Sequence, residues 1–252
     1  MARQLALTLA PPARPTRRGR GGARPGAGRK PNGARAGHAH AVRPYLSPRD
    51  PVHVVLRIDR ALGRLRRRSA YHAVRQALLT SLARGDFRVV HLSIQRHHIH
   101  LICEADDRLA LSRGVRGLSI SAARRLNAAI THDRRLPRPR RGRVFVDRYH
   151  ATTITSPTHA RHELAYVLGN WRHHREDVSG AARRAKVDPY SSAVAFPGWA
   201  GHDAPFAWPR HYLPLPVAYP TTWLLTVGWR RAGPPLSTAA VPGGPAKVPS
   251  RS

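Results

Sequence analysis

The residues best suited to do chemistry in this chain are two histidines one residue apart, His98 and His100, and a tyrosine with an amide four positions on, Tyr166 and Asn170. On a strand, residues two apart leave the same face about 7 Å from each other, so both imidazoles can converge on one metal ion. Ile99, Leu101 and Cys103 then turn to the core. A second pair, His38 and His40, lies in a Gly/Arg-rich stretch with no such scaffold. One helical turn separates Tyr166 from Asn170, which puts a phenol and an amide oxygen on one face. Two neutral imidazoles and an amide leave a divalent cation its full charge, and a phenol oxygen is a nucleophile toward a phosphodiester. His162 and His174 fall on the same helical face and could carry the phenol proton. Solvent-facing strand histidines and a tyrosine packed on a loop are the plainer readings, and spacing alone leaves them open.

Elements must exist to position these groups. VHVVLRI (52–58) alternates as a strand, and FRVVHLSI (87–94) with HIHLICEA (98–105) makes a hairpin turning through Gln95 to His97. Val90, Leu92 and Ile94 are expected on one face. Between them, Ser69 is an N-cap for a helix carrying Tyr71, Val74, Leu78 and Leu82, closed by Gly85. Asp107 caps a second helix with the stripe Leu111, Val115, Leu118, Ala122 and Leu126, its start weakened by Gly114 and Gly117. VFVDRY (144–149) and ATTIT (151–155) are strand-like. Ser156 and Pro157 then open a third helix to about His174, with the apolar stripe Ala160, Leu164, Val167, Leu168 and Trp171 and with Tyr166 nearly opposite it. The order β-α-β-β-α-β-α implies an α+β fold, a small antiparallel or mixed sheet with packed helices.

Charge names the partner class. With 44 Lys+Arg against 13 Asp+Glu the formal net charge is +31, and only three of the basic residues are lysines. An acidic partner is expected, and the arginine fork suits phosphate. Arg113, Arg116, Arg124, Arg125, Arg138, Arg140, Arg141 and Arg143 form the expected DNA surface. The stretch 1–51 is expected to be a disordered basic arm, and 179–252 is a Pro/Trp-rich extension to which periodicity assigns no fold. Its Trp199, Trp208, Trp223 and Trp229 either stack on bases or pack back on the core, the second being favoured. A single cysteine excludes an intrachain disulfide framework. No leader pattern or run of membrane-spanning length occurs, so a cytoplasmic protein is expected.

Taken jointly, RHHIHLICEADDRLALSRGVRGLSI, GRVFVDRYH and ELAYVLGNWRHH resemble the HUH tyrosine transposases that act on single-stranded DNA, REP-associated tyrosine transposases in particular. The resemblance covers residues 53–176. It implies a ferredoxin-like HUH domain over 52–178, Tyr166 as nucleophile, and His98, His100 and Asn170 as ligands of Mg²⁺ or Mn²⁺. It also implies single-stranded or hairpin DNA as partner, and a monomer or homodimer. His97 stands where an Asp or Asn usually precedes the first ligand, and Trp171 where many relatives have Pro. A replication- or transfer-initiating HUH nuclease, a catalytically silent nucleic-acid binder and an RNA-associated basic protein are the alternatives.

Overall fold

The computed structural model describes residues 44–178, 187–200 and 211–243. Most of the expected basic arm, the His38/His40 pair and Trp208 lie outside them. Four strands, β1 (Val52–Arg57), β2 (Phe87–Ile94), β3 (His98–Ala105) and β4 (His150–Thr153), form one sheet in the order β2-β3-β1-β4. Every neighbouring pair is antiparallel. Helix α1 (Arg68–Ser81) joins β1 to β2, α2 (Arg108–Asp133) follows β3, and α3 (Pro157–His173) follows β4. The fold is α+β. Among the described residues no helix is long and apolar enough to cross a membrane.

Strand alternation sorts the sheet into two faces. Val52, Val54 and Leu56 of β1 and Ile99, Leu101 and Cys103 of β3 enter one buried cluster with α1 and α2. Of the expected stripes, Tyr71, Val74 and Leu78 of α1 and Leu111, Val115, Leu118, Ala122 and Leu126 of α2 are buried, but Leu82 is exposed as the C-cap of α1, so that helix ends before Gly85. Asp107 caps α2, its carboxylate accepting from the N–H groups of Leu109 and Ala110. Ser69 is not the cap of α1. Arg67 holds that position, and the Ser69 hydroxyl inside the first turn donates to Asp133 at the end of α2. In β2 the expected shared face of Val90, Leu92 and Ile94 breaks. A bulge between Val89 and His91 flips Val90 to the opposite cluster, and Val89 joins Leu92 and Ile94 instead.

Gly114 has a packing role that offsets its low helix propensity. A Cβ there would stand 2.1 Å from the Phe87 ring, so the missing side chain is what lets α2 lie on β2. Gly114→Ala gains at most about 1 kcal/mol of helix propensity but forces a fully buried ring aside. We expect a net loss of about 1–3 kcal/mol, read from urea unfolding. A variant as stable as the parent would show that Phe87 has room to yield.

The second face carries α3 and the extension. Ser156 caps α3, its hydroxyl accepting from the His159 N–H, with Pro157 at the first helical position. Ala160, Leu164, Val167 and Leu168 pack with Val90, Ile102 and Ile154, and with Val187, Phe196, Leu224, Leu225, Trp229 and Leu236 from the extension. TWLLTVGW becomes a π-helical turn, Leu224–Gly228, running into Trp229–Arg231. Buried Glu104 of β3 fastens its start, accepting from the backbone N–H and hydroxyl of both Thr221 and Thr222. Trp229 and Trp199 pack inward with their indole N–H groups bonded to the Leu225 and Ala193 carbonyls, while Trp223 is half exposed. VFVDRY is not a strand. It makes one bridge, Phe145 to Ile58, because the Asp59 N–H and the Val146 N–H tie it irregularly to the end of β1.

Candidate active site

The sheet face beneath α3 holds a concentration of imidazoles. His98 and His100 leave β3 side by side, ring centroids 4.6 Å apart. Tyr166 descends from α3 until its ring is 5.3 Å from that of His100, edge to face. His174, the C-cap of α3, brings its ring to 5.2 Å from His98. The nitrogens of His98, His100 and His174 lie within 4.8 Å of one another, an arrangement that could hold a metal ion.

Tyr166 is not on a wet surface. It is 6% exposed, and Asn170 is fully buried. The extension covers the apolar stripe of α3, so the opposite face, with Tyr166 and Asn170, is turned onto the sheet. Burial raises the phenol above its ordinary range, the Asn170 amide offsetting part of the rise, so the hydroxyl is protonated at neutral pH. The amide is close to the phenol but out of hydrogen-bond geometry, and neither of its polar atoms has a hydrogen-bond partner. His100 Nε2 is buried and equally unpartnered. Orphaned buried polar atoms cost about 1–3 kcal/mol each, and a cation would relieve those that offer a lone pair. His98, His100 and His174 could hold a divalent ion, while Asn170, the expected amide ligand, lies buried by the phenol of Tyr166.

Three residues that sequence reasoning did not single out complete the surroundings. His53 of β1 places Nε2 2.9 Å from His100 Nδ1. Its Nδ1 lies 2.8 Å from an oxygen of Glu163 on α3. His159, one turn earlier, approaches the other oxygen at 3.4 Å. Burial works to raise the Glu163 carboxyl, but His159 and His53 bring it down to about 2, so it is ionised.

Burial also keeps histidines neutral. It lowers His98 to about 4, helped by the charge of His174, and drives His100 well below its ordinary value, with His53 adding to the effect. His91, away from the site beside Ser192, falls to about 4 by burial alone. An unfolded histidine binds its proton near pH 6.5, well before the folded one does, so acidification favours the unfolded chain. The contribution is intact above that pH and is lost as pH falls toward about 4. We expect His91 alone to remove about 2 kcal/mol between pH 6.5 and roughly pH 5. Urea unfolding across that range should show a shallower loss in His91→Gln than in the parent. Parallel curves would contradict it.

The arginines lie elsewhere. Arg124, Arg140 and Arg141 line a cleft of about 990 Å³ between the end of α2 and the following loop, together with His132 and Arg135. Neither of those two was among the expected contacts. Arg113 and Arg116 are exposed farther up α2, Arg138 and Arg143 are exposed on the loop, and Arg125 is half-buried. Arg140 is held by the Asn127 amide oxygen and the Arg143 carbonyl, and Arg143 donates to the Phe145 carbonyl.

Known proteins give this arrangement a family. The family model described as "Transposase IS200 like" matches residues 51–168, a span that contains the sheet, the imidazole pair and Tyr166. Residues 51–168 are thus similar to the IS200-like transposases. The chain also has likenesses among solved structures. A REP-associated tyrosine transposase bound to a REP hairpin is 17% identical, with a TM-score of 0.44, over 61% of this chain and 82% of that one. A Deinococcus radiodurans protein assigned as a transposase is 18% identical, with a TM-score of 0.33, over 50% of this chain and 92% of that one. No curated protein matches the chain.

Proposed function

We propose that the chain cuts and rejoins single-stranded DNA with Tyr166 as nucleophile. The observation that carries the reading is the meeting of Tyr166 on α3 with His100 on β3, 66 residues apart in sequence, with His98 beside His100. The phenol oxygen forms a bond to phosphorus, the bond to the 3′ oxygen breaks, and that oxygen leaves as a 3′ hydroxyl after taking a proton. The 5′ end stays on the protein as a phosphotyrosine. Another 3′ hydroxyl can reverse the step and join a different end, with no nucleotide cofactor.

Mg²⁺ or Mn²⁺ held by His98, His100 and Asn170 would polarise the phosphodiester and offset charge on its oxygens. The protein's own work is positional. α3 presents the phenol, β3 presents the imidazoles, and the α2 cleft with its arginines supplies sequence-independent attraction to the DNA backbone. The surrounding arginines, from Arg113 to Arg143, extend that attraction along α2 and the loop after it, and a basic arm over 1–51 would add to it.

The test uses the full chain, end-labelled single-stranded hairpin DNA and Mn²⁺. The expected result is a labelled protein–DNA adduct that survives denaturing electrophoresis and disappears with EDTA. DNA binding without any adduct would leave a silent binder in place of an enzyme.

A further inference from the structure

Behind the imidazole pair lies a line of buried polar groups that the proposed reaction does not consume. It runs from Glu163 on α3 through His53 on β1 to His100 on β3, with steps of 2.8 and 2.9 Å. Their side chains are almost wholly buried, and the line ends at His100 Nε2, which has no hydrogen-bond partner. His159 flanks the carboxylate from the helix side.

The direction of this line decides what His100 can do. One proton lies between His53 Nε2 and His100 Nδ1. If it belongs to His100, then neutral His100 has a bare Nε2, a lone pair ready for a cation. If it belongs to His53, neutral His100 carries its proton on Nε2 and cannot be a ligand through that atom. A carboxylate accepts, so Glu163 at 2.8 Å draws the ring proton of His53 to Nδ1 and leaves His53 Nε2 bare. That nitrogen then accepts from His100 Nδ1–H.

We propose that Glu163 and His53 are positioning residues that fix the tautomer of His100, so that its Nε2 is presented to a divalent cation. The proposal rests on the reading of His98 and His100 as metal ligands. A carboxylate buried only to hold the fold together would be a costly choice, since apolar residues of similar volume often serve as well. Placed behind a ligating imidazole it has a use, because such partners orient the ring and raise its basicity.

The tautomer is read directly in metal-free protein by long-range ¹H–¹⁵N NMR of the His100 ring, and the wild-type chain should show Nδ1–H. Mn²⁺ affinity is read separately from the free-ion electron paramagnetic resonance signal. Glu163→Gln, which can donate as well as accept, should lose the fixed tautomer and weaken Mn²⁺ binding about 10- to 100-fold. His53→Leu should weaken it similarly, while His53→Gln, whose amide oxygen can still accept from Nδ1–H, should recover most of the affinity. Thermal unfolding without metal checks that the variants fold. Nε2–H in the wild type, or Glu163→Gln with unchanged affinity, overturns the proposal. Binding lost in His98→Ala but intact in Glu163→Gln and His53→Leu removes the relay and leaves the metal site standing. A wild-type chain that binds no Mn²⁺ removes both.

Discussion

Tyr166→Phe should abolish the covalent DNA adduct and cut strand cleavage by about a thousandfold or more, while hairpin binding changes little. The substitution is mild for the fold. The ring of Tyr166 sits edge-on to His53 and His100 at 5.9 and 5.3 Å, and phenylalanine keeps that ring in place. What is removed is the oxygen that forms the bond to phosphorus. Because burial raises the phenol above its ordinary range, wild-type cleavage should also climb with pH through the neutral region, as the proton becomes easier to remove. The comparison with His100→Ala separates two kinds of loss. That variant should lose Mn²⁺ binding together with cleavage, whereas Tyr166→Phe should bind Mn²⁺ as the parent does. An adduct of undiminished yield in Tyr166→Phe would place the nucleophile elsewhere in the chain.

The part of this site that could be read from sequence was local. Ser156, Pro157 and Asp107 mark helix starts through chemistry within four residues, and the alternation of HIHLICEA puts both imidazoles on one face whatever the strand pairs with. Glu163, Tyr166 and Asn170 share one helical face by the same arithmetic, with steps of three and four residues. What spacing does not contain is which side of α3 is wet. The answer depends on the extension, whose contribution comes from short turns and isolated anchors such as Glu104 to Thr221 and Thr222, without a periodic signal. His53 was hidden for a related reason. Its role follows from β1 lying beside β3, where Val55 faces His100 and His53 reaches it diagonally, and that pairing joins segments nearly fifty residues apart. The β2 bulge is a third case, since the flip of Val90 is a property of the ladder it makes with β3.

The same dependence on distant segments makes Asp188→Ala the most damaging substitution expected outside the candidate site. Asp188 lies in the extension, fully buried, and takes a two-pronged contact from Arg66, with Nη1 and Nη2 at 2.9 and 2.8 Å. Arg66 also donates to the Ile94 carbonyl at the end of β2 and stacks over the Tyr190 ring. One guanidinium thus joins the extension to the tip of the hairpin that carries His98. Removing the carboxylate leaves that cation buried, with Glu176 only at 3.8 Å to compensate, and the expected cost is about 3–5 kcal/mol. The Tyr190 N–H loses its acceptor as well. Arg66→Met made together with Asp188→Ala should cost clearly less than the two changes summed, because neither then strands a charge. Urea unfolding of the four proteins gives the coupling directly. A loss below about 0.5 kcal/mol in Asp188→Ala would mean that the extension is held by its apolar contacts and that Arg66 finds another partner. A large loss with strong coupling would make the extension part of what sets the hairpin, and with it the spacing between the imidazoles and the phenol.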